Sequence, residues 1–109
     1  MIVKRKEIPL TGNFVNIQIS HNHTAIVDAE LYPALRKYHW RAEKSHNVIY
    51  AIARIKRNGK TTTIRMHRLV MNCPPDKFVH HINHNSLDNR RENLLNVTQK
   101  QHFLLHILS

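Results

Sequence analysis

The sequence predicts an α+β fold, with an antiparallel sheet region over residues 1–73 followed by a strand–loop–strand–helix unit over residues 74–109. Three observations carry this expectation. From Phe14 onward apolar residues are interleaved with polar ones, the pattern of half-buried strands. Asn58-Gly59 stands between two extended runs, and both residues tolerate the positive φ that a two-residue hairpin turn requires. Thr98, with Gln101 three residues later, forms a capping-box pattern ahead of an apolar run and so marks a helix start. A chain of 109 residues holds one domain with one modest core, so any division is into subdomains.

Taken in order, residues 1–7 read as a charged arm and Ile8 to Leu10 as a short extended piece. Thr11-Gly12-Asn13 supplies turn chemistry before Phe14, Val15, Ile17 and Ile19, and Ala25 to Val27 continues the extended pattern. Asp28 is placed to cap a short helix. Leu31, Leu35 and Tyr38 recur there at helical spacing, and Pro33 falls in the first turn, where a missing N–H costs little. Trp40 and Tyr38 read as packing residues. A hairpin follows from Val48 to Lys56 and from Lys60 to His67. Ile49, Ala51, Ala53 and Ile55 share one face with Thr62, Ile64 and Met66, while Arg54, Lys56, Thr61, Thr63 and Arg65 occupy the other. A basic, hydroxyl-bearing sheet face suits phosphates, although a single charged strand is more commonly just solvated. His67 to Met71 makes a short helix or turn that must end before Pro74-Pro75. Beyond that boundary Phe78 to His81 is extended, Asn83 to Asn93 is loop, Leu94 to Val97 is extended, and Gln99 to Leu108 is helical.

Seventeen Lys and Arg against seven Asp and Glu give a formal charge of +10, which suits a polyanion and nucleic acid first among them. No apolar run is long enough to span a bilayer, and the N-terminus lacks the apolar stretch of a signal peptide. The expectation is a cytoplasmic protein without a membrane partner. Cys73 is the single cysteine, which excludes an intrachain disulfide and a cysteine-based zinc knuckle.

The chemistry concentrates in Val79 to His106, which holds five of the ten histidines. His102 and His106, at i and i+4 of the expected helix, project from one face and can share a metal ion. Adjacent strand residues point to opposite sides, so at most one of His80 and His81 joins them. The other is free to act as a general base, a task that suits a neutral imidazole near pH 7. His21, His23, His39 and His46 read as surface residues and His84 as a solvated loop residue.

The strings HRLVM and VHHINHNSLDNRRENLLNVTQKQH resemble the ββα-metal core of the HNH endonuclease family, in particular its small phage and homing-type members, from His67 to the C-terminus. The resemblance implies a DNA endonuclease or nickase of prokaryotic, phage or mobile-element origin, leaving 5′-phosphate and 3′-hydroxyl ends. It assigns His81 as general base, Asn93 as the residue bracing the loop, and His102 as a metal ligand. Two departures stand out: His80 takes the place of the homing-type Asp, and His102 the place of a frequent Asn. The histidine pair followed by His-x-x-x-His is similar instead to the colicin DNase branch, on which comparison His80, His102 and His106 hold one divalent ion. Three imidazoles favour Zn²⁺, Ni²⁺, Co²⁺ or Mn²⁺ over Mg²⁺, which prefers oxygen ligands. Arg68, Arg90 and Arg91, with Arg54, Lys56 and Arg65 on the sheet, are the expected DNA and phosphate contacts. The alternative is a DNA-binding protein that uses the same unit as a metal-stabilised scaffold without turnover. Phe103, Leu104, Leu105, Ile107 and Leu108 leave the last helix almost no polar face, from which a homodimer is expected.

Overall fold

The computed structural model describes residues 12–108, so the expectations for residues 1–11 lie outside the described part. Strands β1 (Phe14–Ser20) and β2 (His23–Asp28) pair antiparallel as a hairpin. A 3-10 turn, Ala29–Leu31, leads into the single turn α1 (Tyr32–Leu35). Strands β3 (Arg41–Ser45), β4 (Val48–Arg57) and β5 (Lys60–Arg65) form an antiparallel meander. The short helix α2 (Met66–Val70) then leads to β6 (Phe78–His81), which pairs antiparallel with β7 (Leu94–Val97) across a long loop, and α3 (Gln99–Leu108) closes the chain. The fold is α+β, and its last four elements form a β–loop–β–α unit.

The core lies between the first hairpin and the meander. Ile19, Ala25, Val27, Leu35, Trp40, Ala51, Ala53 and Met66 are its buried members. Alternation explains the strand contributions: Ala25 and Val27, and Ala51 and Ala53, are two residues apart and so share a face. Trp40 is held by a hydrogen bond from its indole N–H to the Leu35 carbonyl at 2.8 Å, and Tyr38 meets it edge-on at 5.6 Å. The α3 start is a reciprocal capping box. The Thr98 N–H donates to Gln101 Oε1 at 2.8 Å, and the Gln101 N–H donates to Thr98 Oγ at 3.1 Å.

Several local expectations are corrected. β3 was not expected, because Arg-Ala-Glu-Lys-Ser has no strand-like apolar alternation; it is recruited through its ladder to β4 and the turn His46-Asn47, where φ is 50° and 65°. Asn58 and Gly59 have φ of 51° and 76°, as a hairpin turn of this hand needs. Helix α1 stops at Leu35, short of Tyr38. Asp28 precedes the 3-10 turn but makes no side-chain cap there, because its carboxylate accepts the Arg91 backbone N–H at 2.9 Å instead. Met66 begins α2 rather than extending β5. The face of β4 expected to be basic is so only at its far end, since Ile52 on that face is buried.

The β6–β7 loop is sewn onto the rest of the chain through backbone. The Ile26 N–H donates to the Leu87 carbonyl and the Asn89 N–H to the Ile26 carbonyl, each at 2.8 Å, which makes a parallel bridge beside β2. The Ser86 hydroxyl donates to the Ile49 carbonyl on β4. Among the described residues no helix is long and apolar enough to cross a membrane.

Candidate functional site

A cleft of about 590 Å³ opens where β4 and α2 face β6 and α3. Six histidines line it: His67, His80, His81, His84, His102 and His106. The four surface assignments keep clear of it, as His21, His23, His39 and His46 are absent from its walls.

His81 closes β6 and is nearly buried. Its Nε2 lies 2.8 Å from Asn89 Oδ1. With the amide oxygen facing the ring, Nε2 carries the proton and Nδ1 the lone pair. On another side His81 packs at 5.2 Å against the ring of His67, which in turn meets Tyr50 at 5.4 Å, and the Arg65 guanidinium sits 4.7 Å over Tyr50. Burial pushes the His67 imidazole down to about 3, with His81, Arg65 and Arg68 adding to the effect. Burial also lowers His81, while its bond to Asn89 and the nearby Asp88 carboxylate act in the opposite direction. Neutral His67 therefore packs beside His81 without adding a charge at neutral pH.

The loop between β6 and β7 is organised by Asn93, which has no exposed surface. Its Oδ1 accepts the Asn83 N–H at 2.9 Å; its Nδ2 donates to Asn83 Oδ1 at 2.9 Å and to the Asp88 carbonyl at 2.8 Å. The backbone adds Ile82 N–H to the Asn93 carbonyl at 2.8 Å, directly beside His81. One asparagine thus ties both ends of the loop and sets the exit of β6.

Beneath the loop lies a buried ion pair. Arg90 is 1 % exposed and donates through Nη2 to Asp88 Oδ2 at 2.6 Å and through Nε to Oδ1 at 2.8 Å, and also pairs with Glu92. The bidentate bond to Asp88 is the main cause that holds the guanidinium charge more firmly than usual. The expectation that Arg90 contacts DNA is therefore corrected, because a side chain enclosed and paired in this way presents nothing to a phosphate. Arg68 lines the cleft, but its two terminal nitrogens donate to the Lys77 and Pro74 carbonyls at 2.9 and 2.8 Å and brace the proline turn. Arg91 is half exposed and pairs with Asp28 and Glu30, linking the loop to the first hairpin. Arg54 reaches Glu43 at 3.3 Å on the outer part of the meander, Lys56 is exposed there, and Arg65 alone of the three sheet residues lines the cleft.

The opposite wall is α3. His102 stacks on Phe78 of β6 at 5.1 Å with nearly parallel rings, and lies 4.7 Å from His106. His80 is half buried and meets His84 at 5.8 Å. Burial lowers both His80 and His102; neighbouring imidazoles add to it, His84 foremost for His80 and His106 for His102. His80 and His102 are thereby held as neutral donors at pH 7, the form in which histidine binds a metal. Two imidazoles sharing a tetrahedral ion at ordinary Zn–N lengths stand with ring centres about 5 Å apart, which the His102–His106 separation matches. Among the described residues no three His, Cys, Asp or Glu side chains already converge on one point. The fit of an ion therefore rests on the donor chemistry and the paired spacing.

Sequence reasoning missed Asn89 and His67 as neighbours of His81, and Tyr50 as the ring behind His67. Asn89 and His67 lie within the strings that carry the family resemblance, but only the fold shows that both touch one imidazole. Comparison with known proteins agrees with this geography: residues 72–104 match the family model described as HNH endonuclease. Neither the curated proteins nor the solved structures yield a match.

Proposed function

From an HNH endonuclease-family unit that supplies β6, its loop, β7 and most of α3, we propose that this chain is a metal-dependent DNA endonuclease or nickase. The observation that carries the reading is His81, set at the floor of a histidine-lined cleft with its Nε2 committed to Asn89. His81 Nδ1 takes the proton of the attacking water. Asn89 fixes the tautomer, His67 supports the ring from one side, and Asn93 fixes the strand exit on which His81 stands. His80, His102 and His106 would hold one divalent ion, Zn²⁺, Ni²⁺, Co²⁺ or Mn²⁺ in preference to Mg²⁺. Such an ion supplies Lewis-acid polarisation of the phosphodiester and offsets charge on the leaving 3′ oxygen. Arg65, at the mouth over Tyr50, is the cleft's cation for the phosphate backbone, and Lys56 and Arg54 extend that basic surface outward.

Residues 1–73 act in this reading as the DNA-holding subdomain and residues 74–109 as the nuclease core. The exposed Phe103, Leu104 and Ile107 on α3 support pairing of two chains through that helix. A strictly monomeric mass in light scattering would count against the pairing and leave the catalytic reading intact. The catalytic reading is tested by incubating supercoiled plasmid with the protein in EDTA, Mg²⁺, Mn²⁺, Ni²⁺, Co²⁺ or Zn²⁺. Nicking restored by a transition metal after EDTA treatment is expected. DNA binding that persists while no metal produces a nick would favour the non-catalytic scaffold.

A further inference from the structure

We propose that the outer part of the β4–β5 hairpin is a two-stranded ribbon that lies in the major groove of duplex DNA and touches base edges there. The inference rests on DNA as the partner in the reading above, but not on the metal or on turnover, and it goes beyond the phosphate contacts assigned there.

The ladder explains why a ribbon exists. β3 accompanies β4 only as far as Arg41 opposite Ile52, whereas β5 follows β4 out to Arg57 opposite Lys60. Beyond Ile52, therefore, β4 has a strand on one side only. Every residue from Arg54 to Thr63 except Ile55 is exposed, and Ile55 is the single apolar side chain in that stretch. Both faces meet water and offer little apolar surface for a protein partner to cover.

The charge of the ribbon is of one sign. No Asp or Glu occurs between Glu43 and Asp76, while Arg54, Lys56, Arg57, Lys60 and Arg65 all fall on the two strands. Among the described residues only Arg54 of the five meets a carboxylate, that of Glu43. Arg57 stands directly opposite Lys60 in the ladder, and like charges so placed weaken a free hairpin. A merely solvated hairpin gains nothing from this arrangement, whereas a polyanion relieves it.

Alternation sorts the side chains. The register sets Lys56 opposite Thr61 and Arg54 opposite Thr63, on the face that carries Tyr50 and Arg65 into the cleft, while Arg57 and Lys60 project from the other face. The major groove, about 12 Å wide, admits a two-stranded ribbon, and the minor groove, about 6 Å wide, does not. Lysine and threonine are side chains that meet base edges, and the longer reach of Arg57 and Lys60 suits the flanking phosphates. From Arg65 in the cleft, β5 runs about 17 Å to Lys60, a length of about five base pairs. The bases touched therefore lie within that distance of the phosphate held in the cleft.

The test uses the whole protein in EDTA and measures binding rather than cleavage. The probe is a fluorescently labelled duplex of mixed sequence, prepared with ordinary cytosine or with glucosylated hydroxymethylcytosine, whose sugar fills the major groove. Netropsin, which occupies the minor groove, is added to the ordinary duplex as a third arm. Wild-type affinity is expected to fall about tenfold or more on the glucosylated duplex and to be unaffected by netropsin. Arg57→Gln with Lys60→Gln should weaken binding to the ordinary duplex and lower its salt slope by about two. Lys56→Gln with Thr61→Ala should erase most of the difference between the two duplexes, at an unchanged melting temperature since both positions are exposed. Equal wild-type binding to both duplexes, or displacement by netropsin, would overturn the groove assignment and leave the nuclease reading standing. Wild-type affinity and salt slope in the Arg57/Lys60 variant would overturn the ribbon as a DNA contact. Failure of the wild-type protein to bind either duplex would overturn both readings.

Discussion

The two walls of the histidine cleft are built on opposite principles. The wall that presents His81 is dense and polar: Asp88, Asn89, Arg90 and Asn93 are buried, and Asn93 alone makes three hydrogen bonds within the loop. The wall that presents His102 and His106 is a ten-residue helix with Phe103, Leu104 and Ile107 exposed, held by its capping box and the stacking of His102 on Phe78. A proton acceptor needs one tautomer and one direction, and buried hydrogen bonds supply both. Metal ligands can be adjusted by the ion they meet. The contrast teaches that the buried polar interactions fix the direction of His81, the base of the proposed mechanism, and leave His102 and His106, its proposed ligands, room to adjust.

The sharpest way to break the contrast is to attack the dense wall. Asp88→Ala leaves Arg90 enclosed without its bidentate partner, and removal of one member of a buried pair costs about 3–5 kcal/mol. The expected outcome is a large fall in melting temperature, with the His81 environment lost along with the loop. An effect under about 1 kcal/mol would mean that this pair behaves like a surface one.

Acid should act next. The His67 pKa is about 3 in the folded chain against an ordinary value of 6.5, so the unfolded chain binds the proton first as pH falls. The stability contributed by neutral, buried His67 is fully present above pH 6.5 and is lost as pH drops from there toward 3, at about 1.4 kcal/mol per pH unit at most. The lowered values of His80, His81 and His102 have the same sign. Denaturant melts at pH 7 and pH 5 check this, and His67→Phe should flatten the dependence.

The smallest effect belongs to the loose wall. Thr98→Ala removes one half of the capping box and should cost about 1 kcal/mol. Amide exchange should rise in α3 and stay unchanged in the β6–β7 loop. Equal changes in both would show that the walls are one cooperative unit and remove the contrast.

Much of this arrangement was legible in the chain. Strands Phe78–His81 and Leu94–Val97 and the helix from Gln99 follow from the proline boundary, the short apolar runs and the capping box, all local signals. β3 was not legible, because five residues with one apolar side chain carry no period and gain their strand form from the β4 ladder. Arg90 misled for a related reason. Charge in an Asn-rich loop reads as solvated, yet Asp88 two residues from Arg90 gives the pair a reason to be buried that only the Ile26 docking reveals. Likewise Asp28 reads as a cap by its sequence neighbours, but Arg91 is sixty-three residues away and claims it. Periodicity reports on what is adjacent; the supports of His81 come from β4, α2 and the far end of the loop.

The central claim is that His81 is the proton acceptor. It is tested most directly by the nicking rate of His81→Ala on supercoiled plasmid, with the wild-type protein's best metal and with metal content, melting temperature and DNA affinity measured on the same preparation. The account predicts a loss of at least about a hundredfold in rate while metal and DNA are still bound. Nicking at the wild-type rate by a folded, metal-loaded His81→Ala protein would contradict it.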